Sequence, residues 1–225
     1  MKKKILLAAA VAAALSLTPA LPRRAEAITY SYSTTTTPSV TVAPIAQPKS
    51  AWSYYNYSWS GSGHPAFGTA PDTAYFWLYT DTTGAPGNMS LGMILDTPGD
   101  LSGGVFKMSI SGVPSGVTVY SDDPGELTST SADFRWWPCC TDGGVISGLG
   151  NQTWTITITP GDFMGITNFA FVSPDGMGGY TKAALPHLEG NSLIITASSS
   201  VPEPSTLLLL GGGLIGLAAA RRKAA

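Results

Sequence analysis

Positive charge is scarce in the middle of this chain of 225 residues. Eight of its twelve Lys and Arg residues sit at the two ends (Lys2, Lys3, Lys4, Arg23, Arg24, Arg221, Arg222, Lys223). Only Lys49, Lys107, Arg135 and Lys182 lie between residues 28 and 200, against twelve acids, so that segment carries a charge near −8. Without a cluster of cations to neutralise phosphates, it argues against nucleic acid and anionic lipid surfaces as partners. Histidine is almost absent, with His64 and His187 alone and neither beside a patterned partner. Gly-x-Ser-x-Gly and His-Glu-x-x-His are both missing. The expectation is a protein that is not an enzyme, although a glycoside hydrolase built on paired carboxylates leaves no spacing signature and stays as a third alternative. Cysteine occurs only as Cys139-Cys140, and no helical period of useful length appears between the ends.

The ends themselves are distinctive. Lys2-Lys3-Lys4, an apolar run from Ile5 to Leu17 and the small-residue site Ala25-Glu26-Ala27 make a secretory signal peptide, cleaved after Ala27. The pair Arg23-Arg24 follows the apolar run instead of preceding it, so it is not a twin-arginine signal, and the implied route is the Sec machinery. At the other end, Val201-Pro202-Glu203-Pro204 should stay extended, because each proline fixes its own φ and disfavours helix in the residue before it. The apolar run Leu207 to Ala220 that follows is about 21 Å long as a helix, short of the roughly 30 Å hydrocarbon core of a bilayer. Length alone suits a buried core helix. The triple glycine, the lack of a polar face and the terminal Arg221-Arg222-Lys223 favour a short membrane span over 206–220 with a cytoplasmic basic stop.

Val-Pro-Glu-Pro-Ser, an apolar span and a terminal Arg-Arg-Lys resemble the PEP-CTERM sorting signal of Gram-negative bacteria. The resemblance covers about the last 25 residues, with Pro202, Glu203 and Pro204 matching the motif position by position. It implies a membrane-embedded exosortase that recognises the motif, removes the tail and releases or attaches the protein outside, after a transient stay at the inner membrane. It implies nothing about the fold of the cargo.

Between residues 28 and 200, short strand-like runs alternate with turn formers such as Thr97-Pro98-Gly99-Asp100 and Asp123-Pro124-Gly125. The strand candidates are 74–79, 89–95, 105–110, 117–120, 154–159, 169–172 and 193–196, with Phe106, Met108, Ile110, Trp154, Ile156 and Ile158 facing inward. The aromatic faces of Ala74 to Tyr79 are both expected to be covered. This pattern predicts an all-β, jelly-roll-like antiparallel β-sandwich, with helix confined to the signal peptide and the transmembrane span. The expected layout is a signal peptide at 1–27, a Ser/Thr/Pro-rich extended edge segment or linker at 28–50, the sandwich at 51–197 and the sorting signal at 198–225.

Three features of the cargo could carry chemistry. Adjacent Cys139 and Cys140, exported to an oxidising compartment, are a candidate vicinal disulfide. Neighbouring Cα atoms lie about 3.8 Å apart, below the usual disulfide range, so the bridge would be readily reducible; free thiols, or bonds to another chain, are the alternatives. Trp52 and Trp59, in a run alternating aromatic and small polar residues with a bulge at Tyr54-Tyr55, and the pair Trp136-Trp137 are candidate stacking surfaces for an extracellular polysaccharide; the plain reading of both is packing. Asp122, Asp123 and Asp142 are weak candidates for calcium, and turn propensity explains them equally; otherwise no cofactor is expected. The functional expectation is a structural or adhesive protein of the cell surface or extracellular matrix, with a carbohydrate-binding module as the alternative.

Overall fold

Val105 to Ile110 and Trp154 to Thr159 alternate apolar with polar residues, and both become strands whose apolar side meets a shared core. The computed structural model describes residues 27–57, 63–84 and 88–200, with Ser200 by its backbone alone. The elements in chain order are β1 (Ala27–Thr34), β2 (Thr37–Val42), β3 (Ile45–Gln47), α1 (Ala51–Tyr55), β4 (Thr73–Asp81), β5 (Met89–Leu95), β6 (Gly104–Ser111), β7 (Thr118–Ser121), β8 (Ser131–Trp136), β9 (Asp142–Ser147), β10 (Trp154–Met164), β11 (Asn168–Pro174), β12 (Tyr180–Leu185) and β13 (Leu193–Ser200). They form two sheets, one in the order β2-β1-β13-β10-β6-β8 and one in the order β12-β11-β4-β5-β9-β7, with β3 also on β4. The fold is a β-sandwich with almost no helix among the described residues. Two pairings depart from the antiparallel rule: β11 and β3 both run parallel to β4, β11 along its first half and β3 along its second.

The two faces of β4 explain the layering. Ala74, Phe76 and Leu78 point into the core between the sheets, where they meet Phe106, Ile110, Ile156, Ile158 and Phe171. Tyr75, Trp77 and Tyr79 point the other way, into a second cluster closed by Ile45, Tyr54, Tyr55 and Phe67. Opposite Trp77 on β5 stands Gly92, and a Cβ there would run into the indole ring. Gly92→Ala is expected to cost about 1–3 kcal/mol as the buried ring is displaced, read as a lowered urea midpoint with unchanged slope.

The structure corrects three expectations. The run from Trp52 is not a bulged strand: Ser50 caps the short α1 by accepting the Ser53 N–H at 3.1 Å, and Asn56 ends it in the left-handed region at φ 60°. Packing decided this, because a helical turn places Tyr54 and Tyr55 side by side against Tyr79 and Trp77, with ring centroids 4.8 and 6.4 Å apart. Residues 28–50 take the edge and not the linker alternative, and the sandwich begins before residue 51, since β1 and β2 are the edge pair of one sheet and β3 belongs to the other. Three more strands, β8, β9 and β12, went unread. In β9 the pair Gly143-Gly144 reads as a turn, yet each glycine lets backbone approach: Met93 O crowds one and Tyr120 O the other.

β1 and β13 are neighbours in the sheet, with Ser198 Oγ donating to Thr29 O at 3.4 Å where β1 starts and β13 ends, and Thr35 N–H donating to Ser192 O at 3.1 Å at their opposite ends. Strand β10 fixes the long axis of that sheet: it begins with Trp154 opposite Ala197 of β13 and ends with Met164 opposite Val105 of β6. Eleven residues span roughly 30 Å. One end of the domain therefore carries the end of β13, and the far end carries the start of β6 and the end of β8. No helix among the described residues is long and apolar enough to cross a membrane. Residues 1–26 of the expected signal peptide, the span over 206–220 and Trp59 lie outside the described residues.

Candidate functional site

The far end gathers the loops. β8 ends in Trp136-Trp137-Pro138, and the two tryptophans part ways because side chains alternate along a strand. Trp136 turns inward, 5 % exposed, and its indole Nε1–H donates to Asp96 Oδ2 at 2.8 Å. It is a core residue, which corrects its reading as a stacking surface. Trp137 turns outward and is 80 % exposed. Leu101 and Met164, on the neighbouring loop and at the end of β10, are also exposed.

Under this surface lie three carboxylates that sequence reasoning passed over. Asp72, Asp96 and Asp100 each bring one oxygen to within 4.8 Å of the others. Asp72 N–H donates to Asp96 Oδ1 at 3.0 Å, and the Ser102 hydroxyl bridges Asp100 at 2.6 Å and Asp72 at 3.3 Å. Burial raises the Asp96 pKa, while the Ser102 hydroxyl lowers that of Asp100. Among the described residues this is the group that could offer hard oxygens to a divalent cation, in place of Asp122, Asp123 and Asp142. The signal was present but dispersed, with Asp72 in one turn and, 24 residues on, Asp96 and Asp100 on either side of another.

Cys139 and Cys140 are joined by a disulfide, and no free cysteine remains. Their loop is tied down twice, by Cys140 N–H to Trp137 O at 3.0 Å and by Gly99 N–H to Cys139 O at 2.7 Å. The second bond joins it to the turn that carries Asp100.

The remaining candidates meet on the side of the domain, beneath α1. Trp52 stacks on Tyr55, Tyr57 and Tyr120 at centroid distances of 5.1, 5.5 and 5.7 Å. With three rings already against it, Trp52 is committed to packing. Asp122 accepts the Tyr55 hydroxyl at 3.0 Å, and Asp142 accepts the N–H groups of Arg135 at 2.7 Å and Gly143 at 2.6 Å. Asp122 Oδ1 and Glu126 Oε2 are buried without a hydrogen-bond partner. Burial, before any other cause, raises all three pKa values: Asp142 to about 6, Asp122 to about 7 and Glu126 to about 9. Glu126 is thus a proton-holding carboxyl beside Asp142, a pairing that no spacing in the sequence announces.

The expected sorting residues Pro202, Glu203 and Pro204, the stop Arg221, Arg222 and Lys223, and the cleavage residue Ala25 lie outside the described residues, while Ala27 opens β1. Residues 200–223 match the PEP-CTERM protein-sorting motif. A sorting signal of this kind implies an exported protein processed by an exosortase. No curated protein and no solved structure matches the chain. The PEP-CTERM match begins on Ser200, the last residue of β13. The same match is confined to the tail, and the role of the cargo rests on its own geometry.

Proposed function

We propose that the delivered domain is a non-enzymatic protein of the cell surface or extracellular matrix with a structural, adhesive role, and that its contact surface is the loop end bearing Trp137. The observation that carries this reading is the exposure of Trp137, 80 % free on a loop stiffened by Pro138 and the disulfide, at the end of the domain opposite the end of β13. Export by Sec, cleavage after Ala27 and a brief stay at the inner membrane bring it to that location. Against catalysis stands the lack of a Gly-x-Ser-x-Gly or His-Glu-x-x-His motif.

The second reading is a carbohydrate-binding module. A flat indole suits the apolar C–H face of a sugar, and the scarcity of cations favours a neutral exopolysaccharide. Retention of the purified exported protein on neutral exopolysaccharide tests both readings. Trp137→Ala is expected to weaken retention about tenfold or more, worth at least ~1.4 kcal/mol, with an unchanged thermal midpoint. Adhesion lost without any glycan retention favours the first reading, whereas equal adhesion and retention by Trp137→Ala and wild type removes this surface from both. Turnover of the polysaccharide abolished by Glu126→Gln would move the protein to the hydrolases.

A further inference from the structure

We propose that the Cys139–Cys140 bridge is a thiol-exchange site, through which the exported domain forms a covalent bond with a thiol-bearing molecule outside the cell. The bridge has no evident part in stability. A disulfide stabilises mainly by closing a loop of the unfolded chain, and one between neighbours closes none worth the name. It is also accessible: Cys139 is exposed, Cys140 half-buried, and the loop projects beside the exposed Trp137. Cys139 is held at φ 123°, where residues with a Cβ rarely sit, so its backbone gains by being let go.

The chemistry balances without an oxidant. A thiolate attacks Cys139 Sγ, the bond to Cys140 Sγ breaks, and the electron pair leaves on Cys140 sulfur, which takes up a proton. One disulfide replaces another. The Cys140 thiolate stays next door and could expel the newcomer, so the adduct persists to the extent that Cys139 relaxes away from φ 123°. That movement carries Cys139 O from the Gly99 N–H and loosens the turn holding Asp100. The thiol could belong to a small molecule or to a protein, and the proposal does not depend on what Trp137 contacts.

The test uses the mature exported protein in its oxidised form. On incubation with glutathione, alkylation and non-reducing mass spectrometry, the expected product carries one glutathione on Cys139 and one alkyl group on Cys140. In parallel, extracellular material quenched with N-ethylmaleimide is run on non-reducing gels; a reducible high-mass species, absent from Cys139→Ser/Cys140→Ser, identifies a protein thiol as the natural source, and an adduct only of low mass identifies a small one. Wild-type protein that keeps a mass two hydrogens below its reduced form throughout glutathione treatment, with neither adduct nor alkylated cysteine, overturns the proposal.

Discussion

Glu203→Ala leaves the exported protein uncut and in the membrane fraction, with the mature form outside the cell falling about tenfold to a hundredfold. Glu203 is the one charged group of the motif, flanked by two prolines whose fixed φ favours an extended backbone. Hydrogen bonds to a charged group are worth about 1.5–3 kcal/mol, which sets the size of the loss if recognition runs through this carboxylate. The substitution spares the apolar run Leu207 to Ala220, so insertion and export proceed and only the cut fails. Deleting Arg221 to Lys223 should act on the other step, weakening retention while the motif stays intact. Mass spectrometry of the C-terminal peptide in extracellular and membrane fractions separates the two, and surface-delivered protein with Leu207 to Ala225 still attached would show that no processing occurs.

The second large effect is loss of stability as the pH rises. Asp122, Glu126 and Asp142 share one corner with the buried Tyr55, with the half-buried Tyr57 and the exposed Asp123 at its rim, and Arg135, the cation that reaches Glu126, is bound to Asp133 at 3.2 Å. Unfolded carboxyls titrate near pH 4, whereas here the folded values are raised to about 6, 7 and 9. The folded state thus holds its protons more tightly than the unfolded one. The contribution of these groups is complete below about pH 4 and is lost as the pH rises through their folded values, the opposite of an ion-paired acid. The thermal midpoint is expected to fall by several degrees between pH 5 and pH 9. Asp122→Asn with Glu126→Gln, which mimic the protonated forms and preserve the bond from Tyr55, should flatten the profile. A midpoint that climbs over this range would mean that the corner holds charged, paired carboxylates.

Along the chain, legibility follows the range of the forces involved. Strands such as β6 and β10 were readable because a two-residue alternation is a local property that any one-sided sheet imposes. The short α1 was not, since its aromatic alternation fits a strand and only the stacking of Tyr54 and Tyr55 on β4 selects a helical turn. Strand β9 was hidden by glycines whose purpose is to let Met93 O and Tyr120 O come close, a need that exists only once the neighbouring strands are in place.

The same division holds for the sites. By itself the sequence determined the sorting of this protein, because an exosortase reads a short linear motif, and the all-β class of its cargo, because alternation and turn chemistry are written residue by residue. Only the tertiary structure decided that Trp136 is core and Trp137 surface, that Asp72, Asp96 and Asp100 converge while Trp52 is packed away, and that Glu126 keeps a proton beside Asp142. Each of these depends on which groups from distant segments share a space and how far water is kept from them, and desolvation has no counterpart in a linear pattern.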